Sequence, residues 1–371
     1  MPKYLYILLY TCLFLLYQEG AAQRPITWTA QFHYGRIIPM LRDFPTITHN
    51  SQVFEVGASW SLSGKKAWHH LYNHPKVGLK AMTFRLGNPD IFGNAYALIP
   101  SITWDIRKRK NFRLQWTMGG SLSYIDKAFD RVDNPENIVM GAHLNYLFQI
   151  GIQGVWRTHK PVQLLAGIDL SHFSNGHTSH PNIGINIPAL SVGIAYQPPK
   201  EQTFSPESPP KMSQHKRGIY PGIKLGYGFA KLQSKDGPLY SAYTATAFLN
   251  KDIKHKFNLK AGTEWFFLSS IHDFLQNQNE PEPTNRAWAA TGGILYLGFE
   301  AMMGRMSLIA NVGPYIKRPA IMEYTLYTKM GFQVYLFDQQ VRRKNQAFIG
   351  VYVHAHSGQA DFVETGIGYL F

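Results

Sequence analysis

Two side chains that could form an activated nucleophile lie two positions apart near the middle of the chain. His172 and Ser174 belong to the segment DLSHFSNGHTSHPNIGIN, residues 169–186, which ends at Asn186. In a β-strand, residues two apart point to the same side at a spacing of about 6.6 Å, close enough for their side chains to hydrogen-bond. A serine beside a histidine and an orienting group is the general form of an activated nucleophile, in which the histidine takes the hydroxyl proton. Such residues also occur at the depth of lipid headgroups without any catalytic role, and the spacing alone favours that plainer interpretation.

The chain around these residues alternates between polar and apolar positions with a period of two, which indicates β-strands. The alternation is clearest in ITWTAQFHY (26–34), VFEVGASWSL (53–62) and GIKLGYGFA (222–230). Sixteen such segments predict sixteen strands, near residues 25–38, 51–63, 76–87, 94–106, 111–125, 138–156, 162–173, 187–197, 220–232, 239–252, 256–270, 287–303, 306–317, 323–337, 346–357 and 361–371.

Long alternating strands with aromatic residues near their ends are typical of an all-β, antiparallel transmembrane β-barrel, because lipid offers no partner for an open sheet edge. The chain also ends in a strand, VETGIGYLF, whose terminal Phe371 resembles the closing strand of bacterial outer-membrane barrels. These features favour a barrel over a soluble all-β protein. With the N-terminus in the periplasm, the short connections fall on the periplasmic side and the long ones outside, as such barrels prefer.

Composition along the chain predicts its domain organisation. The first 22 residues have the basic start, short apolar run and small-residue cleavage site of a signal peptide, and they contain the only cysteine, Cys12. A Pro-rich linker at 198–219 separates an eight-strand half, 23–197, from a second, degenerate half, 220–371. The linker is long for a periplasmic turn and favours two tandem eight-stranded barrels, whereas the single terminal Phe signal favours one barrel of about 16 strands. Of the two, we expect the single barrel.

The net charge of +14 predicts an anionic partner. An exported chain rarely meets nucleic acid, so we expect anionic outer-membrane lipid or lipopolysaccharide and no nucleic acid. A mature chain without cysteine has no disulfides, thiolate metal sites or cysteine nucleophiles. His172, His177 and His180 lack a nearby carboxylate, so we expect surface histidines rather than a metal site.

Parity predicts the direction in which the candidate nucleophile points. In VQLLAGIDLSHFS, residues 162–174, the even positions are mostly apolar and form the lipid face, and His172 and Ser174 continue that row. The returning strand, INIPALSVGIAY, has the same parity, and Asn186 leads its lipid-facing row. A hairpin would bring Asn186 alongside His172. Polar side chains that face lipid cost free energy, so three of them near the outer end of the wall indicate a function.

The same segment resembles the lipid A 3-O-deacylase family through the run His172-Phe173-Ser174-Asn175, then Pro181-Asn182 and Gly184-Ile185. Members of this family are outer-membrane barrels that remove an ester-linked acyl chain from lipopolysaccharide with a Ser-His-Glu triad. The resemblance implies that His172 is the general base, Ser174 the nucleophile, and Asn175 an oxyanion contributor together with nearby backbone N–H groups. It also implies lipid A as the substrate and a reaction without a cofactor.

Position 186 departs from the family pattern, which has a Glu there. An amide can orient an imidazole but cannot stabilise the imidazolium by charge, and in one serine protease the corresponding Asp-to-Asn change costs about 10⁴ in turnover. We therefore expect weak activity unless a carboxylate from elsewhere takes part. The final hairpin contains His354, His356 and Glu364, but parity directs all three into the lumen, where we expect a solvated cluster rather than a second catalytic site.

The sequence thus predicts an outer-membrane serine esterase that removes an acyl chain from lipid A or a related lipid of the outer leaflet. The alternative is a non-catalytic barrel, a channel or a structural protein, that retains the deacylase hairpin as a relic. A third class, a soluble periplasmic binding module, predicts fractionation without detergent. We expect the barrel assembly machinery to recognise the strand that ends at Phe371.

Overall fold

The computed structural model contains two closed antiparallel β-barrels of eight strands each. The first barrel consists of β1 (Thr27–Gly35), β2 (Ser51–Ser61), β3 (Lys76–Arg85), β4 (Asn94–Lys108), β5 (Phe112–Ile125), β6 (Leu144–Arg157), β7 (Val162–Ser174) and β8 (Ile185–Tyr196). The second consists of β9 (Ile219–Ala230), β10 (Tyr240–Ile253), β11 (Phe257–Leu268), β12 (Thr291–Met303), β13 (Met306–Lys317), β14 (Leu326–Tyr335), β15 (Gln346–His356) and β16 (Gln359–Leu370). Within the part of the chain that the structure describes, three short helices join strands: α1 (Ala67–Leu71), α2 (Ser269–Asn277) and α3 (Arg286–Ala289).

The structure describes residues 25–158, 161–198, 208, 218–231, 237–277, 285–340, 344–356 and 359–371. The predicted signal peptide, residues 1–22, lies outside the described residues, as does most of the predicted linker, 198–219.

All sixteen predicted strands are present, but the expectation of one sixteen-stranded barrel must be corrected. β1 pairs with β8 and β9 pairs with β16, so each set of eight strands closes on itself. The seam of the first barrel runs in register from Trp28 opposite Tyr196 to Gly35 opposite Ala189. The alternating pattern is the same in both architectures, because it specifies faces and not the partner of the first strand.

Exposed and buried side chains alternate along the strands, as the polarity pattern predicts. On β10 the alternation runs without a break from Ala242 to Asp252. The outward positions include Leu190, Leu225 and Leu297, which are 66%, 68% and 68% exposed. An apolar outer band around a polar lumen is the arrangement of a transmembrane barrel. Among the described residues, no helix is long and apolar enough to cross a membrane.

Several charged side chains in the lumen of the first barrel are paired with each other. His33 Nδ1 lies 2.7 Å from Asp169 Oδ2, and Lys80 Nζ lies 3.1 Å from Glu55 Oε2. Gln31 Nε2 donates to the same Glu55 side chain at 2.9 Å. Eight strands enclose an interior that side chains can fill, and buried charges need such partners to be tolerated.

An apolar core closes the end of the first barrel next to the segment that contains Ser174; we call this the outer end, after the topology that the sequence predicts, and the opposite end the inner end. The core includes Phe84, Phe92, Phe173 and Ile185, all with no exposed surface. The rings of Phe84 and Phe173 lie 5.0 Å apart, edge to face. This packing fixes the outer ends of β3, β7 and β8 relative to one another.

The predicted strand at 138–156 begins later in the structure, at Leu144. Asn137 Oδ1 accepts the N–H groups of Val139 and Met140, at 3.3 and 3.1 Å, and this turn directs the chain away from the ladder. An asparagine side chain that bonds to backbone two and three residues ahead competes with strand pairing in this way.

The two barrels contact each other at both ends. At the inner end, Trp68 of α1 shares an apolar cluster with Met303 of β12, and the Tyr72 hydroxyl donates to the Lys256 carbonyl oxygen at 2.9 Å. At the outer end, His177 Nδ1 donates to a carbonyl oxygen of the second barrel. The barrels therefore lie side by side with their corresponding ends together.

Candidate active site

His172 and Asn186 face each other across β7 and β8 on the lipid side of the wall. The backbone register pairs the two residues, and His172 Nδ1 lies 2.7 Å from Asn186 Oδ1. The amide oxygen can only accept a hydrogen bond, so it holds the tautomer in which Nδ1 carries the proton. Nε2 is then the nitrogen with a free lone pair, which is the form a general base needs.

Ser174 continues the lipid-facing row of His172, as parity predicts. Along the end of β7, Ser171 and Phe173 are buried in the lumen side, whereas His172 and Ser174 are half-buried on the other face. Ser174 Oγ donates to Asn182 Oδ1 at 3.2 Å and accepts the Gly176 N–H at 3.1 Å. The hydroxyl proton is therefore directed at the loop in this rotamer.

Asn182 connects the serine to the loop that follows it. Besides the Ser174 hydroxyl, Asn182 Oδ1 accepts the backbone N–H of Asn175 at 2.9 Å. One amide oxygen thus fixes both the nucleophile and the next residue of the chain. The sequence contains Asn182 within the family-like run, but neither polarity nor parity assigns it a role, because it lies in a loop.

Asn175, the predicted oxyanion contributor, is only 1% exposed. Its Nδ2 donates to the Pro181 carbonyl oxygen at 3.4 Å, and its Oδ1 accepts the Ser179 N–H at 3.4 Å. Its own carbonyl oxygen accepts the Thr178 hydroxyl at 2.8 Å. The side chain therefore holds residues 175–181 in a closed loop and is turned away from the lipid side.

The loop before β6 supports the loop after β7. Gly141 N donates to the Pro181 carbonyl oxygen at 2.7 Å, and Ile183 N donates to the Val139 carbonyl oxygen at 3.0 Å. A β-bridge between Met140 and Asn182 lies between these two bonds. The segment that leaves the predicted strand early, after Asn137, is thus the one that positions Asn182.

Apolar side chains border the polar cluster on the lipid face. By register, Tyr146 of β6 lies opposite Ser174 and Phe148 opposite His172, and these aromatic residues are 40% and 36% exposed. Leu170, one step further toward the inner end, is 39% exposed. The polar cluster therefore has an apolar border on the lipid face.

No described carboxylate forms an ion pair with His172. The nearest acid along the strand, Asp169, points into the lumen and is paired there with His33. The structure therefore leaves Asn186 as the group that orients the histidine, in the part of the chain that it describes.

The predicted lumen cluster of the second half lies inside the second barrel, away from Ser174. His354 Nε2 lies 2.5 Å from Glu364 Oε2, and Lys329 Nζ lies 2.7 Å from both Glu364 and Glu264. His356 points inward as well and pairs with Asp361. The inward direction of His354, His356 and Glu364 is as predicted, but they are paired and buried rather than solvated.

Glu264, His354 and Glu364 offer ligand atoms within 4.8 Å of one another, a spacing that a metal ion could use. Lys329 and Lys224 already contact these carboxylates and supply the positive charge that an ion would bring. The cluster therefore fits an internal ion-pair network better than a metal site.

Comparison with known protein families divides the chain as the two barrels do. Residues 52–195 match the family model for lipid A 3-O-deacylase (PagL). Residues 219–371 match the model for the acyloxyacyl hydrolase C-terminal domain. No curated protein sequence matches the chain.

Several solved structures are similar to the chain at low sequence identity. The crystal structure of the outer membrane enzyme PagL is 14% identical, with 44% of this chain and 97% of that chain covered and a TM-score of 0.33. A mutant porin of Rh. blastica is 8% identical, with 93% and 100% covered and a TM-score of 0.17. The translocator domain of the autotransporter NalP from Neisseria meningitidis is 8% identical, with 98% and 94% covered and a TM-score of 0.18. Because all three TM-scores are low, these structures carry no argument about the family, and the two family models alone support it.

Proposed function

The chain belongs to the lipid A 3-O-deacylase family through residues 52–195, and from this premise we propose that it removes an ester-linked acyl chain from lipid A. It is an outer-membrane protein with an apolar outer band on each barrel. Residues 23–197 act as the deacylase-like half, and residues 220–371 form a second, degenerate half. Lipid A or a related lipopolysaccharide is the substrate, and the net charge of +14 favours such an anionic lipid.

Ser174 is the nucleophile of the proposed reaction and His172 its general base. Rotation of the Ser174 side chain from Asn182 toward His172 brings its hydroxyl proton to Nε2 as Oγ attacks the ester carbonyl carbon. The proton then passes from Nε2 to the departing alkoxide oxygen, which leaves an acyl group on Ser174. A water molecule, deprotonated by the same nitrogen, hydrolyses this ester and restores the serine.

The negative oxygen of the tetrahedral intermediate needs hydrogen-bond donors close to Ser174. The Gly176 N–H donates to Ser174 Oγ at 3.1 Å in the resting site, and rotation of the serine would release this donor for the oxyanion that forms beside Oγ. Asn175, whose side chain is buried in the loop, contributes by fixing the loop that presents Gly176 rather than by direct contact.

The observation that supports the proposal most strongly is the placement of a hydrogen-bonded His172–Asn186 pair and Ser174 on the lipid face. Polar side chains facing hydrocarbon are costly unless they serve a function, and acyl esters of the outer leaflet are the groups we infer they meet. A catalytic serine in the lumen would have no access to such a lipid.

Incubation of purified protein with lipopolysaccharide, followed by mass spectrometry of lipid A, tests this function. We expect the wild type to remove one hydroxyacyl group and Ser174→Ala to remove none. Ser171→Ala is the matched control, because Ser171 lies on the same strand but is buried on the lumen side. If the wild type leaves lipid A intact, the alternative holds, and the protein is a non-catalytic barrel with a relic hairpin.

A further inference from the structure

Gly176 and His177, the second and third residues after Ser174, both have left-handed backbone conformations. Their φ angles are +64° and +67°. Glycine adopts this region freely, and histidine adopts it more readily than most other residues but still at a cost that surrounding contacts can offset. Contacts that hold His177 in this conformation also fix its neighbour Gly176, whose N–H donates to Ser174 Oγ.

The contacts come from the second barrel. His177 Nδ1 donates to the Ala360 carbonyl oxygen of β16 at 2.6 Å, and the His177 carbonyl oxygen accepts the Lys231 N–H, just after β9, at 2.8 Å. These two bonds engage both a side chain and a backbone group of the same residue. They join the loop after β7 to the outer ends of two neighbouring strands of the other barrel.

Apolar packing acts at the adjacent residue. A methyl group placed on Gly176 would lie 2.5 Å from Val363 Cγ2, so the two residues are in close contact. Val363 belongs to the outward face of β16 but is only 4% exposed, whereas Ile367 on the same face is 65% exposed. The first barrel's loop thus covers the outer end of this face and leaves the rest open.

We propose that the second barrel is a clamp for the nucleophile loop, with His177 as a positioning residue. This inference rests on the proposed function, since it assigns the second half a role in the same reaction. The clamp fixes His177 and Gly176, and Gly176 N–H in turn lies 3.1 Å from Ser174 Oγ. Contact from one barrel thereby sets the geometry of the oxyanion donor in the other.

Substitution of His177 tests the clamp through the kinetics of the intact protein. His177→Val removes the donor to Ala360 and disfavours the left-handed conformation, and we expect kcat to fall about 10- to 100-fold with little change in KM. His177→Asn should restore most of the activity, because asparagine tolerates a left-handed φ and its Nδ2 can donate in place of Nδ1. A role in folding alone does not predict rescue of kcat by Asn.

A substitution on the second barrel tests the same clamp from the other side. Val363→Ala removes both γ-methyl groups of the side chain, including the Cγ2 that packs against Gly176, and should lower kcat while the site itself is unchanged. Val351→Ala is the matched control, since Val351 on β15 also faces outward but is 47% exposed. We expect Val351→Ala to retain wild-type activity.

Hydrogen–deuterium exchange of residues 175–184 in detergent micelles provides a measurement that does not need turnover. We expect faster exchange in His177→Val and Val363→Ala than in the wild type, and no change in Val351→Ala. Wild-type exchange and wild-type kcat in the first two variants would overturn the clamp while leaving the deacylase function intact. If the wild type has no deacylase activity, the proposed function fails, and the exchange rates alone decide whether the clamp exists.

Discussion

At the scale of single residues, the site differs from a charged triad in one group. Asn186 fixes the tautomer of His172 through a 2.7 Å hydrogen bond but carries no charge. A carboxylate in that position would stabilise the imidazolium that forms when the serine loses its proton. In this structure the histidine is correctly oriented to act as a base, but no negative charge next to it stabilises the imidazolium.

Replacement of Asn186 by Glu should raise the deacylation rate. The carboxylate would accept the same Nδ1–H and add attraction to the imidazolium, so we expect kcat to rise at least about tenfold, within a ceiling of about 10⁴. Rates of acyl release from lipopolysaccharide by wild type and Asn186→Glu give the comparison. Asn186→Gln, which has the length of Glu without its charge, should show no gain.

An equal gain in both variants would attribute the effect to side-chain length. No gain in either would mean that charge at position 186 does not limit the reaction.

The sequence predicts the strand residues of the site well and the loop residues poorly. His172, Ser174 and Asn186 lie on the lipid face because a strand alternates strictly, so counting positions from Leu164 on β7 and from Leu190 on β8 was sufficient. Asn182 and Gly176 lie in a loop whose path depends on bonds to Gly141 and to the second barrel. No local pattern encodes contacts between segments so distant in sequence.

At the scale of the strand, β7 anchors the site through the residue between its two catalytic candidates. Phe173 points away from His172 and Ser174 and is fully buried in the core at the outer end of the barrel. Because the strand alternates strictly, the packing of Phe173 in the core also fixes the positions of His172 and Ser174 on the opposite face. A shift of Phe173 would move both candidate side chains together.

Phe173→Ala should destabilise the first barrel and impair catalysis together. Loss of a fully buried phenylalanine from a packed core costs about 3–5 kcal/mol of unfolding free energy. Urea titration of the refolded protein in lipid vesicles measures this change, and lipid A mass spectrometry measures activity. Phe54→Ala, at a lipid-facing position that is 52% exposed, should cost clearly less. Similar losses for both substitutions would contradict a packed outer core.

At the scale of the whole molecule, the second barrel has an interior held by ion pairs. Lys329 is 1% exposed and contacts both Glu264 and Glu364, which are themselves buried. Removal of one partner leaves uncompensated charge in the interior, which is far more costly than loss of a surface pair.

Lys329→Met should therefore lower the unfolding free energy of the second barrel by about 3–5 kcal/mol. Urea unfolding followed by tryptic protection of residues 219–371 reports on that barrel separately. Lys251→Met, at an exposed position of β10, should have little effect. Equal stability of Lys329→Met and wild type would mean that the two glutamates find other partners or take up protons.

Each barrel should also close without the other. A chain truncated after Pro198 retains all eight strands of the first barrel and the β1–β8 seam. Refolded in detergent, it should migrate as a compact species on unheated gels, with deacylase activity reduced below that of the full chain. Failure to fold would show that closure of the first barrel requires the second.

The number of strands could be predicted from the sequence, but the strand pairing that closes each barrel could not. Each of the sixteen segments is recognisable from its own alternation, but the pairing of Gly35 with Ala189 joins segments about two fifths of the chain apart. The terminal Phe371 signal indicated only that the chain ends in a barrel strand. It gave no information on which earlier strand that one would pair with.

Because β1 pairs with β8 and β9 pairs with β16, the gene can gain or lose a whole barrel during evolution. Because every strand finds both of its neighbours within its own set of eight, recombination between Tyr196 and Ile219 would add or delete a complete barrel without leaving an unpaired edge in the membrane. A second barrel can thus be acquired in one step. Its effect on the first barrel then depends on the few residues through which the two barrels are in contact.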